Sequence, residues 1–226
     1  MSRFFLSAAA LVMTAAFAAP AQAAQCGNGP GGFESWKQNF AEEARGQVGE
    51  TGVAALMNTH YNAATISADR GQKSFRLSLE QFMAKRGGPA IVARGRQLKR
   101  SQAGLFASIQ SRYGVPPGPL LAIWGMETGF GAVHGNQHAL SAVATLAYDC
   151  RRSAFFTDQL YAALKLIDQG ALSANARGSM HGEIGQTQFL PKNRNSSKSL
   201  SRKWLTKSTG DMIRPKVRSW RISGKT

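Results

Sequence analysis

The chain has 226 residues, 28 Lys and Arg against 12 Asp and Glu, a formal charge of +16 and two cysteines. That length is enough for one domain with a sizeable core. The charge by itself suggests a nucleic-acid binder, but its distribution argues against one: eleven basic residues and one acid between Lys192 and Thr226 hold +10 of the +16, leaving +6 for the rest. A mildly basic body still attracts an anionic polymer.

Residues 1–23 combine one charge at Arg3, an apolar run from Phe4 to Ala19, and Ala21 and Ala23 in small-x-small spacing. This pattern predicts a secretory signal peptide cleaved after Ala23 or Ala24 rather than a retained membrane span. Gln25 before Cys26 is too large for a lipoprotein cleavage site, so a soluble exported protein is expected. Cys26 and Cys150 would then enter an oxidising compartment, either as one long-range disulfide or as two unrelated thiols.

After a glycine-rich leader, Trp36, Phe40, Ala44 and Val48 recur every four residues and predict an amphipathic helix. Shorter helical stretches are expected around Val53 to His60 and Leu77 to Lys85, and a longer helix over Pro89 to Tyr113, stopped by Gly114. Prolines 116, 117 and 119 restart the chain. Leu120 to about Phe130 is apolar most of the way round and reads as a buried central helix. His138 to Tyr148 and Phe155 to Ile167 are two further helices. No long strand-like alternation appears, so the body is expected to be mainly α and bundle-like. From Lys192 onward neither period is sustained, and residues 192–226 read either as a disordered basic tail or as an out-of-frame segment in place of a structured one.

Two segments concentrate candidate chemistry. In Leu121 to Gly131, L-A-I-W-G-M-E-T-G-F-G, Glu127 is the one carboxylate, set at the negative end of a helix with glycines 129 and 131 behind it. Burial there would favour its protonated form and suit it to donate a proton to a glycosidic oxygen; the plain alternative is a surface glutamate. In Gly178 to Pro191, G-S-M-H-G-E-I-G-Q-T-Q-F-L-P, glycines permit close backbone approach, while Ser179, Gln186 and Gln188 offer neutral groups that suit sugar hydroxyls and amides. The plain alternative is a polar turn-rich loop. Arg151 and Arg152 are either a solvated pair between helices or a contact for carboxylates, and Tyr148 can face either way. The four histidines form no tight ligand pattern and no metal is expected. No G-x-S-x-G elbow is present. Asp149 and Glu183 are the candidates for a second acid, but neither is marked as a partner of Glu127, which points to a single acid/base without a protein nucleophile.

The segments L-L-A-I-W-G-M-E-T-G-F-G, A-T-L-A-Y-D, R-R-S-A-F-F and G-S-M-H-G-E-I-G-Q-T-Q-F-L-P, in this order, resemble the family B lytic murein transglycosylases over roughly Gly31 to Pro191. The resemblance implies a lysozyme-like lytic transglycosylase domain over residues 24–191, incomplete at its C-terminal side, where relatives continue with helices that complete the cleft. It implies Glu127 as catalytic acid/base, cleavage between N-acetylmuramic acid and N-acetylglucosamine with a 1,6-anhydromuramoyl end, and no cofactor. Ser179 and Gln188 match positions lining sugar subsites, with Gln186 in the same motif, and the region of Arg151 and Arg152 matches one facing the peptide stem; Tyr148 completes the candidate substrate contacts. Glu183 stands where many relatives carry alanine. A monomeric periplasmic enzyme on peptidoglycan strands is the expectation; the alternative is a non-catalytic, peptidoglycan-binding remnant.

Overall fold

The computed structural model describes residues 25–71 and 76–196; the signal-peptide reading of residues 1–23, and the tail reading beyond Ser196, lie outside the described residues. The elements in chain order are a 3-10 turn (Pro30–Gly32), α1 (Phe33–Ala44), α2 (Glu50–Met57), α3 (Ala63–Arg70), α4 (Leu79–Lys85), α5 (Gly88–Ser101), α6 (Ala103–Tyr113), α7 (Pro117–Thr128), β1 (Gln137–His138), α8 (Ala139–Tyr148), α9 (Ser153–Asp168), β2 (Arg177–Gly178) and α10 (Pro191–Ser196). The two strands pair antiparallel, Gln137 with Gly178 and His138 with Arg177. None of the described helices is long and apolar enough to cross a membrane.

Two apolar clusters form. The larger gathers α1, α2, α3, α8 and α9 around Phe33, Trp36, Phe40, Leu56, Leu146, Phe156, Leu160 and Leu164. All ten residues of α8 are buried, so α8 is the central helix. The smaller cluster joins Leu98, Phe106, Leu121 and Trp124 from α5, α6 and α7. The expectation that the Leu120 to Phe130 segment is buried all round is therefore corrected: Leu121, Trp124, Gly125 and Thr128 form one inward stripe, and Ile123 on the other face is 44% exposed.

Local chemistry explains the element ends. α3 is capped by the Asn62 side chain accepting from Thr65 N–H (3.2 Å), and α4 by a reciprocal capping box between Ser78 and Gln81. α2 begins at Gly49 without a cap of its own; Asp168, from the end of α9, accepts from Gly49 N–H (2.7 Å) and Gly52 N–H (2.6 Å), placing a carboxylate on that helix N-terminus. The expected helix over Pro89 to Tyr113 is two helices hinged at Gln102 (φ −117°, ψ 29°). Leu98 and Phe106, buried on either side, keep one helical phase, so the apolar period carries no record of the break. Helix α10 runs through Lys192, where the sequence changes character. Lys192 N–H donates to the buried Gln159 (2.9 Å) and its ammonium pairs with Asp158 (2.6 Å).

Cys26 and Cys150 are joined in a disulfide across a separation of 124 residues. Gly27 N–H donates to Tyr148 C=O (2.9 Å) beside it, so the start of the described chain is fixed to the end of α8. Tyr148 itself is 4% exposed, ringed by Phe33, Trp36 and Tyr61, with Gly27 and Gly32 against its hydroxyl. Its expected place among substrate contacts is thereby corrected, because the ring belongs to the core.

A Cys26→Ser/Cys150→Ser double variant is expected to lose about 2–5 kcal/mol of stability, since a closure this long restrains the unfolded chain strongly. Denaturant unfolding with and without reductant checks it; a wild-type midpoint unmoved by reductant would contradict the expectation.

Candidate active site

Glu127 is the penultimate residue of α7, and the chain reverses immediately after it. Gly129, Phe130 and Gly131 all have positive φ (57°, 62° and 83°). Gly129 N–H returns to Gly125 C=O (3.0 Å) and Phe130 N–H to Trp124 C=O (3.2 Å), closing the helix end. Phe130 folds back against Trp124, edge to face at 5.5 Å, and against Gly125, where a side chain would collide with Phe130 and Ile91. Trp124 and Phe130 are thus packing residues. Glu127 is exposed, because the inward stripe of α7 passes beside it. The burial expected for its carboxylate is not found. Arg86 donates to the neighbouring Met126 C=O and lays a guanidinium on this helix end.

Gln186 ties the 178–191 segment to that end of α7. Its side-chain oxygen accepts from Trp124 Nε1 (2.5 Å), and its backbone carbonyl accepts from Thr128 Oγ1 (2.8 Å). Thr128 Oγ1 in turn accepts from Gly131 N–H (3.0 Å). Gly131 must be glycine twice over, by its φ and because an added Cβ would lie 2.6 Å from Gln186 Oε1. Gln188 has positive φ (49°), and its amide donates to Gly185 C=O (2.7 Å) within the same turn.

Ser179 sits at the other end of the segment, directly after β2. Its hydroxyl accepts from His181 N–H (3.1 Å) and Glu183 N–H (3.2 Å) and donates to the Glu183 carboxylate. Gly182, at the tip of this turn, lies so close to Val143 and Ala139 C=O that a side chain there would strike α8.

Arg151 and Arg152, in the α8–α9 turn, both pair with Asp69 of α3, whose side chain is 2% exposed while theirs are 45% and 37% exposed. His181 Nε2 lies 3.9 Å from the same carboxylate. Arg152 also stacks over Phe156 at 4.9 Å. Asp149 is taken up by Arg70 (2.6 Å) and by Arg151 N–H (3.1 Å). The structure therefore joins Arg151, Arg152 and Ser179 through Asp69, His181 and Glu183 into one polar patch, and joins Gln186 to the helix end bearing Glu127. Asp69 and Thr128 were missed in the sequence; each is an ordinary helical residue whose role appears only when distant elements meet.

Burial pushes His181 below the usual imidazole range, with Glu183 opposing and Arg152 and Arg151 reinforcing. Burial, then Arg177 and His60, does the same to His138. Histidines with depressed folded values bind fewer protons folded than unfolded. Their contribution to stability is therefore present above the unfolded value of about 6.5 and is lost as pH falls below it. A His138→Asn/His181→Gln double variant, in which asparagine can still cap α8, is expected to lose less stability than wild type between about pH 7.5 and pH 5. Asp69→Asn is expected to cost about 2 kcal/mol, between the values for exposed and buried broken pairs because both arginines keep water. Denaturation midpoints across the pH range check both.

Residues 32–197 match the family model described as the transglycosylase SLT domain. Membrane-bound lytic murein transglycosylase B of Escherichia coli K12 is 38% identical over 81 residues, covering 35% of this chain and 22% of that protein. The crystal structure of SltB3 from Pseudomonas aeruginosa in complex with NAG-NAM-pentapeptide superposes with a TM-score of 0.66 at 33% identity, over 73% of this chain and 45% of that one. E. coli lytic transglycosylase Slt35, at 23% identity and a TM-score of 0.60 over 71% of this chain and 53% of that one, shares the fold. The chain thus spans less than half the length of SltB3 and about a fifth of the curated relative. A family match across most of the described chain, with the same mainly helical, lysozyme-like fold, places this protein in the transglycosylase SLT domain family, among the family B lytic transglycosylases.

Proposed function

We propose that this protein is an exported, periplasmic lytic transglycosylase. It cleaves the β-1,4 bond between N-acetylmuramic acid and N-acetylglucosamine in peptidoglycan, with Glu127 as its one acid/base. The observation that carries the reading is the placement of Glu127: an exposed carboxylate at a helix end where the chain turns sharply away, beside a polar segment fastened to the same helix by Gln186.

In this mechanism the protonated Glu127 donates to the glycosidic oxygen as the bond from that oxygen to the muramoyl C1 breaks. The resulting carboxylate takes the proton of the muramoyl C6 hydroxyl as that oxygen bonds C1. Glu127 is protonated again at the end, and no water is consumed. Neither other candidate acid is available as a partner: Asp149 is 2% exposed and paired with Arg70, and Glu183 is bonded to Ser179. Gln186 keeps its amide N–H groups and Gln188 its oxygen for sugars, and the Ser179 hydroxyl would reach a sugar only by exchanging one of its present partners. Arg151 and Arg152, held by Asp69 with part of each side chain in solvent, present positive charge to the carboxylates of the peptide stem. The working form is a monomer.

Incubation with intact peptidoglycan and mass analysis of the released products tests the proposal. Wild type is expected to release 1,6-anhydromuropeptides, and Glu127→Gln to release them roughly 10²–10⁴-fold more slowly. Hydrated rather than anhydro ends would overturn the mechanism. Wall binding without release by either folded protein would leave a non-catalytic peptidoglycan-binding module.

A further inference from the structure

A polar cavity of about 490 Å³ lies between residues 58–63, the start of α8 and residues 175–177. Its walls are fixed from several directions. His60 and Asn62 N–H groups donate to Ser141 Oγ (3.2 Å) and Thr145 Oγ1 (3.0 Å) of α8, and Asn62 Nδ2 donates to Gln137 Oε1 (3.0 Å). The β1–β2 ladder holds His138 beside Arg177. Ser179 follows β2 by one residue, so the cavity adjoins the candidate active site along the chain.

None of the lining residues carries a carboxylate, and Arg177 is the one formal cation among them. The remaining polar groups are two imidazoles, the Tyr61 phenol, the Ser141 hydroxyl and the carboxamides of Asn58, Asn62 and Asn175. After burial, the Arg177 guanidinium and His60 act to keep a proton off His138, while Asp149 acts in the opposite sense on the Tyr61 phenol, so the side of the cavity that favours an anion is the one at Arg177. Arg177 Nη1 already donates to Asn136 C=O (3.1 Å), and the remaining N–H groups of this planar guanidinium suit one singly charged carboxylate. Asn62 is engaged on both sides, by Thr65 N–H and by Gln137, and the Asn58 amide by Ala54 C=O, which leaves the Asn58 oxygen and the Asn175 carboxamide beside His138 to meet the peptide groups leading up to such a carboxylate. A phosphate would call for more cations or a nest of backbone N–H groups than these walls supply.

We propose that this cavity, lined by His60, Asn62, His138, Asn175 and Arg177, binds the terminal carboxylate of a short peptide. That such a peptide is the stem carried by a glycan strand rests on the function proposed above; the carboxylate site itself does not.

The test titrates the full chain by calorimetry with three probes: the pentapeptide of NAG-NAM-pentapeptide freed from its sugars, the same peptide with its C-terminus amidated, and inorganic phosphate. The His60 and His138 imidazole resonances are followed in parallel. The free acid is expected to bind and shift both imidazoles, and the amide to bind at least about 10-fold more weakly, as for loss of a charge-assisted pair. Arg177→Gln, at an exposed position, should weaken the free acid by a similar factor, and Asn175→Asp, which puts a negative charge on the wall, should weaken the acid while sparing the amide. Equal binding of acid and amide, indifference to both substitutions, phosphate binding as tightly as the peptide, or no binding at all would each overturn the proposal. The freed peptide contains no glycosidic bond, so these outcomes are independent of whether the protein cleaves peptidoglycan.

Discussion

Helix α8 has no solvent face, and its C-terminal end leads straight to two nearly buried carboxylates, Asp149 and, across from it on α3, Asp69. An ionised carboxylate removed from water must be compensated by cations and hydrogen bonds, or the fold loses several kcal/mol for each. Arg70, Arg151 and Arg152 supply that compensation. The arginine pair beside the candidate site is therefore a requirement of the core before it is anything else. Because Asp69 holds one edge of each guanidinium while part of each side chain keeps solvent, the pair is oriented and still able to meet an anion.

A second constraint follows from the division of the apolar residues into two clusters. The cluster around α8 carries the arginines and Ser179; the cluster of α5, α6 and α7 carries Glu127. The 178–191 segment touches both, at Gly182 against α8 and at Gln186 against Trp124 and Thr128 of α7. Its glycines are fixed by contact as much as by turn geometry: Gly178 is crowded by Glu183 C=O, and Gly135, from before β1, lies so close to Gly178 C=O that a Cβ would fall 1.8 Å from that oxygen. A polar segment of this composition would be a mobile loop if it stood alone. Held at both ends, it keeps Ser179 and Gln186 in fixed relation to the two halves of the site.

The sequence made much of this legible where one strong local signal governed. The period of Trp36, Phe40 and Ala44 predicted α1, Gly114 marked the end of α6, and the helix expected over His138 to Tyr148 is α8, although its burial on every side was not foreseen. It failed where a tertiary partner decides. α3 buries Thr65, Ile66 and Asp69, two of them polar, so no apolar stripe announced it. Tyr148 reads equally well as a surface aromatic or a core one until Gly27 and Gly32 close over its hydroxyl. Glu127 was assigned to a buried helix because its neighbours are apolar, whereas Ile123 on the outer face shows that apolar composition alone does not bury a helix. Cys26 and Cys150 admitted two readings, and the proximity of residues 124 positions apart is what separates them.

The arrangement of acids fits the proposal that Glu127 acts without a second carboxylate. A mechanism with two carboxylates needs both in place at a defined separation and both able to exchange protons or attack. Here Asp149 and Asp69 are committed to arginines inside the core, and Glu183 is committed to Ser179. Drawing any of them into the reaction would abandon a pairing that the fold relies on. Glu127 differs from all three: among the described residues its side chain makes no hydrogen bond or ion pair, and its position at the end of α7 is set by backbone turns and by the packing of Trp124 and Phe130 beneath it. In the proposed mechanism its proton would be given and taken back without disturbing any side-chain pairing, as intramolecular attack by the substrate's own hydroxyl would require of an acid/base.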